Sequence, residues 1–141
     1  MRNPGKAIGG ILAVLGISFL VTTAWAAGYA RPGLLIETED LAKIVNQPNA
    51  RLIDAVDPAS YQRAHIPGAV NVFYLDLAKL EERKKNGHPL SNAEAEKIFG
   101  EAGIDNNTQV VVYDGGEGPS ASGVWFVLDF FGHKNVKVLN G

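Results

Sequence analysis

The segment Gln109–Tyr113 reads QVVVY, and it runs straight into Asp114-Gly115-Gly116-Glu117-Gly118-Pro119. Three consecutive valines beside a tyrosine favour an extended backbone. The glycines and proline that follow cannot continue it. Beyond them Val124, Trp125, Val127, Leu128 and Phe131 recur at helical spacing. Strand, glycine-rich turn and helix in that order form the unit from which α/β folds are assembled.

The flanking sequence repeats the alternation. Arg51–Val56 (RLIDAV) reads as a short buried strand. Val136–Leu139 (VKVL) reads as another. Thr38 is placed to cap a helix carrying Leu41, Ile44 and Val45, ended by Gln47-Pro48-Asn49. Ser60–Ala64 permits one turn of helix, and Pro67-Gly68 marks a turn. A charged, helix-like run covers Leu75–Lys85, and Asn86–Pro89 reads as a loop. Ser91 with Glu94 matches a capping box, opening a helix that stops at Gly103. Ser120 is placed to cap the helix after the glycine-rich loop, and Gly132 to end it. Three strands alternating with helices predict a largely parallel sheet flanked by helices.

The first thirty residues are of a different kind. Arg2 and Lys6 form a basic head, no charge occurs from Ala7 to Ala30, and Ala24-Trp25-Ala26 is a small-x-small pattern. This predicts a signal peptide over 1–26, a linker over 27–33 and a folded domain over 34–141. An uncleaved membrane anchor is the first alternative, since the uncharged stretch is long enough to span a bilayer. A buried helix is the second. Export predicts a periplasmic or secreted protein, or one anchored facing the periplasm.

Removing residues 1–26 takes two positive charges and no negative ones, moving the formal charge from -2 to -4. Such a balance gives no reason to expect nucleic acid as a partner, and a membrane only through the N-terminal segment. The chain has no cysteine. Disulfides are therefore excluded, and stability rests on packing.

In open α/β sheets ligands bind beyond the carboxyl ends of strands, where Asp114–Ser120 lies. Its glycine N–H groups and the following helix N-terminus suit an anion. Asp114 and Glu117 oppose one unless they point away. The spacing matches neither a Walker motif nor a dinucleotide fingerprint. A plain strand-to-helix connection accounts for the loop equally well. Asp54, at a strand end, needs hydrogen-bonding partners, and Asp57 is placed to bond its own loop. His65, before Ile66-Pro67-Gly68, reads as a turn tie rather than a base. His65, His88 and His133 lack metal-ligand spacing, and no cofactor motif is present. Ser120 and Ser122 have no neighbouring base in the sequence and lie in no nucleophile elbow.

Taken together, LIDAVDPASYQRAHIPGAVNV (52–72), VVVYDGGEGPSASGVWFVLDFFGHKNVKVLNG (110–141) and LLIETEDLAKIV (34–45) resemble the rhodanese (thiosulfate sulfurtransferase) family. The resemblance implies a rhodanese-like α/β fold. It also implies a cysteine directly after the central strand that accepts sulfane sulfur as a persulfide. Asp114 stands at that position. In two-domain members the first domain carries aspartate there and is catalytically silent, and the second carries the cysteine.

This chain thus resembles the non-catalytic half of a thiosulfate/3-mercaptopyruvate sulfurtransferase, whose expected partner is a C-terminal catalytic domain. It departs from the family pattern at Val56 and Gly123, where arginines are common. Relatives continue with a further helix and a fifth strand, so a truncated, marginally stable domain is expected. The alternative function is a non-enzymatic module binding a small anion such as thiosulfate, or a protein. Hydrolysis through Asp114 is disfavoured, because phosphatase relatives also use cysteine.

Overall fold

A computed structural model describes residues 31–78 and 90–141. The expected signal peptide, residues 27–30 of the linker, residues 79–85 of the charged run, the 86–89 loop and His88 lie outside the described residues. Among the described residues, no helix is long and apolar enough to cross a membrane.

The elements in chain order are a single 3-10 turn (Pro32–Leu34), β1 (Leu35–Glu37), α1 (Thr38–Ile44), β2 (Ala50–Asp54), α2 (Pro58–Arg63), β3 (Val70–Asn71) and α3 (Tyr74–Ala78). They continue with α4 (Asn92–Glu101), β4 (Gln109–Tyr113), α5 (Pro119–Phe130) and β5 (Val136–Asn140). The strands form one parallel sheet in the order β1-β5-β4-β2-β3. Ile53 pairs with Val112, and Val112 with Val138.

Side chains of a strand alternate between sheet faces, so β4 must supply both layers of core. Val110 and Val112 pack with Ile53 and Val136 beneath Phe99 of α4 and Val124 and Leu128 of α5. Val111 faces the other way, with Leu52, Ile36, Leu41 and Ala69. All three valines are almost fully buried. This explains why the segment is continuously apolar: each face has its own cover, and no position is left for a polar residue.

The expected α/β architecture is present, but the described residues hold five strands where periodicity showed three. The fifth strand expected beyond the end of the sequence is corrected: β1 and β3 complete five strands within 35–140. Both are too short to show a period. β1 pairs with β5, about a hundred residues away in sequence, as Leu35 aligns with Val138.

Two caps are also corrected. Thr38 is the first helical residue of α1, and Glu37, still extended from β1, precedes it without a side-chain cap bond. Ser120 lies inside α5, whose cap position is Gly118. The Ser91–Glu94 capping box is present, with both reciprocal bonds made. The helices stop before Gly103 and Gly132, as the sequence indicates.

Candidate functional site

The loop after β4 is organised by its first residue. Asp114 Oδ1 accepts hydrogen bonds from Gly116 N (3.0 Å) and Gly118 N (3.1 Å), and Oδ2 accepts from Ala121 N (3.0 Å). Gly118 adopts φ 86°, a left-handed turn that residues with a Cβ rarely take, and Pro119 then opens the helix. Proline has no N–H, so the first donor needing a partner lies deeper in the helix. Asp114 reaches it from four residues before the cap position. Partial burial pushes its carboxyl pKa up, but the N–H groups of Ala121, Gly118 and Gly116 together pull it below the ordinary value.

The orientation of the loop acids was open in the sequence. Asp114 points inward and is itself the anion at the helix N-terminus. Glu117 is exposed at the loop's crest. Ser120 is half-buried, and Gly115 and Gly116 are exposed. Asp114, Gly115, Glu117, Pro119 and Ser120 border a cavity of about 410 Å³ that Asp57 and Phe73 also face. Gly116 and Gly118, with Asp114 again, line a smaller hollow of about 170 Å³ against the end of β5.

Asp54 and His65 support the loop's neighbours rather than its crest. Asp54 is 2% exposed, and its Oδ1 accepts from Val56 N at 3.1 Å. Asn71 donates to the carbonyls of Asp54 and Val56 at 3.0 and 2.8 Å, clamping the end of β2. His65 stacks on Tyr61 with ring centroids 4.0 Å apart, and its Nδ1 lies 2.8 Å from the Tyr61 carbonyl. A carbonyl only accepts, so Nδ1 carries the proton, which is a turn tie. Asp57 bonds its own loop as expected, accepting from Ala59 N, Ser60 N and Ser60 Oγ. Ser122 Oγ donates to the Gly118 carbonyl at 2.7 Å and is occupied within its helix.

Two residues at this end of the sheet carried no sequence signal. Tyr113 Oη accepts from Ile66 N at 2.9 Å, tying the His65–Ala69 turn to the end of β4. Burial raises the Tyr113 pKa, and the adjacent Asp54 adds to the rise against the lowering by Ile66 N–H, so the hydroxyl stays neutral. Tyr74 lies against Gly123, where a Cβ would come within 2.8 Å of Cζ and closer to two other ring atoms. A lone aromatic and a lone helical glycine could have suggested a close approach, but not to each other.

This arrangement is poor at bond making. Asp114 has its oxygens engaged by three donors and a lowered pKa, which makes it a weak base and a weak nucleophile. Among the described residues no group of three or more His, Asp or Glu could hold a metal ion.

A family model described as "Rhodanese-like domain" matches residues 37–141. The chain is 47% identical over 83 residues to thiosulfate/3-mercaptopyruvate sulfurtransferase 2 of Arabidopsis thaliana, covering 57% of this chain and 23% of that protein. It is 34% identical over 134 residues to the thiosulfate sulfurtransferase of Mus musculus, covering 86% of this chain and 40% of that protein. The chain therefore spans less than half the length of these relatives. The structure of a 3-mercaptopyruvate sulfotransferase from Escherichia coli superposes with a TM-score of 0.64 at 28% identity, covering 78% of this chain and 41% of that one.

Proposed function

This chain belongs to the rhodanese-like domain family, and from that premise we propose that it is the structural, non-catalytic half of a thiosulfate/3-mercaptopyruvate sulfurtransferase. One observation carries the reading. The loop's donors are turned on the carboxylate of Asp114, a group that cannot accept sulfur as a thiolate does. A persulfide mechanism needs a thiol, and the sequence contains none.

On this reading the partner is a cysteine-bearing rhodanese-like domain, against which this one packs. The lengths of the relatives support such a partner. The basic head and uncharged stretch of the first thirty residues support export to the periplasm. The alternative, a module that captures thiosulfate or another small anion at the loop, has less in its favour, because the inward-facing donors already serve Asp114.

The test is a sulfur-transfer assay on the full chain, with thiosulfate or 3-mercaptopyruvate as donor and cyanide as acceptor. The expected result is no rate above the uncatalysed background. Turnover that disappears in Asp114→Asn would overturn the proposal. Calorimetry with thiosulfate is expected to give no saturable heat at millimolar ligand.

A further inference from the structure

The strand β5 ends in a chemically labile pair. Asn140 is its last residue, and Gly141 follows outside the strand. Asparagine is a thermolabile residue, because its side-chain carbonyl carbon is open to attack by the backbone nitrogen of the next residue. A glycine in that place carries no Cβ to hinder the approach. In the sequence only Asn86 and Asn140 precede a glycine. Asn86 lies outside the described residues.

The tertiary structure gives Asn140 a partner that the sequence does not show. Sheet register sets it beside Glu37, the last residue of β1. Asn140 Nδ2 donates to both oxygens of that carboxylate, at 2.9 and 3.1 Å. An ionised carboxylate only accepts, so the amide turns its nitrogen toward it. The two bonds hold the amide toward β1 and oppose the rotation that would bring Cγ to the Gly141 nitrogen. Asn140 is half-buried and Glu37 exposed, so water reaches the pair.

We propose that Asn140 is a site of spontaneous deamidation, restrained by Glu37, and that its conversion loosens β1 from the sheet. The Gly141 nitrogen gives its proton to solvent and bonds to Cγ of Asn140, the Cγ–Nδ2 bond breaks, and ammonia leaves. Water then opens the cyclic imide at either carbonyl, leaving aspartate or isoaspartate at position 140. The sum is amide plus water to carboxylate plus ammonium, with no change of oxidation state. The new carboxylate has no hydrogen to donate to Glu37 and opposes it with like charge across the strand pair. β1 is three residues long at the edge of the sheet, and among the described residues β5 is its only strand neighbour. This site is independent of the role of the Asp114 loop.

The experiment incubates the full chain in warm, mildly alkaline buffer and follows the conversion of amide to acid by peptide mass spectrometry. Mass gain is expected in the peptide carrying Asn140, with Asn86 as the reference in the same digest. Gly141→Ala is expected to show no gain at Asn140 over the same period. That variant is structurally mild, since a Cβ at Gly141 meets only Thr38 Oγ1, at an ordinary 3.8 Å, and its φ is not left-handed. Glu37→Ala is expected to raise the Asn140 rate relative to Asn86 roughly fivefold, the equivalent of one net hydrogen bond. Glu37 is exposed and makes no cap bond to α1, so this change does not threaten folding. Asn140→Asp, which mimics the main-chain-intact product, is expected to speed hydrogen exchange at β1, and adding Glu37→Gln to reverse it. No gain at Asn140 while Asn86 converts, an Asn140 rate unchanged in Glu37→Ala, or β1 exchange unchanged in Asn140→Asp would each overturn the proposal.

Discussion

Gly123→Ala is expected to destabilise this domain, although helix propensity alone says the reverse. Gly123 lies in the middle of α5, and exchanging a mid-helix glycine for alanine ordinarily gains about 1 kcal/mol. Here the new methyl would stand 2.8 Å from Tyr74 Cζ and nearer still to Cδ2 and Cε2. The ring belongs to α3, which is held against the core by the fully buried Leu77, so the ring must give up its packing against the core to make room. Overpacking of this kind costs about 1–3 kcal/mol. Set against the propensity gain, the net loss is up to about 2 kcal/mol. For a domain of this size that is a fall in Tm of up to roughly 10 °C.

Urea unfolding should show a lower midpoint at an unchanged slope. The decisive comparison is Gly123→Ala in a Tyr74→Ala background. With the ring removed only the propensity term remains, so the same substitution should become stabilising by about 1 kcal/mol. A double-mutant coupling below about 0.5 kcal/mol would refute the reasoning, because it would mean that ring and glycine do not meet.

Asp114→Asn is expected to cost about 1–2 kcal/mol at neutral pH, because an amide nitrogen would then face the Ala121 N–H in place of the oxygen that accepts it. Folding lowers the Asp114 pKa from 3.8, so its contribution is complete above that value and is lost as pH falls through the folded pKa. Wild-type and variant stabilities should therefore converge in acid, and a difference that stays constant across the acid range would contradict the capping role. Tyr113→Phe should cost about 1 kcal/mol by leaving Ile66 N–H without its acceptor, and should speed hydrogen exchange at that amide. An unchanged exchange rate at Ile66 would show that the tie is not formed in solution.

The α/β class was legible because it rests on local patterning. β4, the capping box of α4 and the glycines closing α4 and α5 all act through neighbours within a few residues, and they lie where the sequence places them. The family resemblance was legible for a similar reason, since its motifs are contiguous strings. The site was only half legible. Its loop and the aspartate at its head stand out in the sequence, but the direction of that aspartate does not.

Tertiary structure decided what local patterning could not. β1 is a strand because β5 lies beside it, and β3 because β2 does; neither has the length to declare itself. Gly123 reads as a weak helix position until Tyr74 arrives from another helix. Asp114 reads as a repulsive charge until the backbone turns at Gly118 and aims three N–H groups at it. In each case the deciding partner is either far along the chain or exposed only by a backbone turn. A residue's type and spacing set what it can do, while the direction of its neighbours sets what it does.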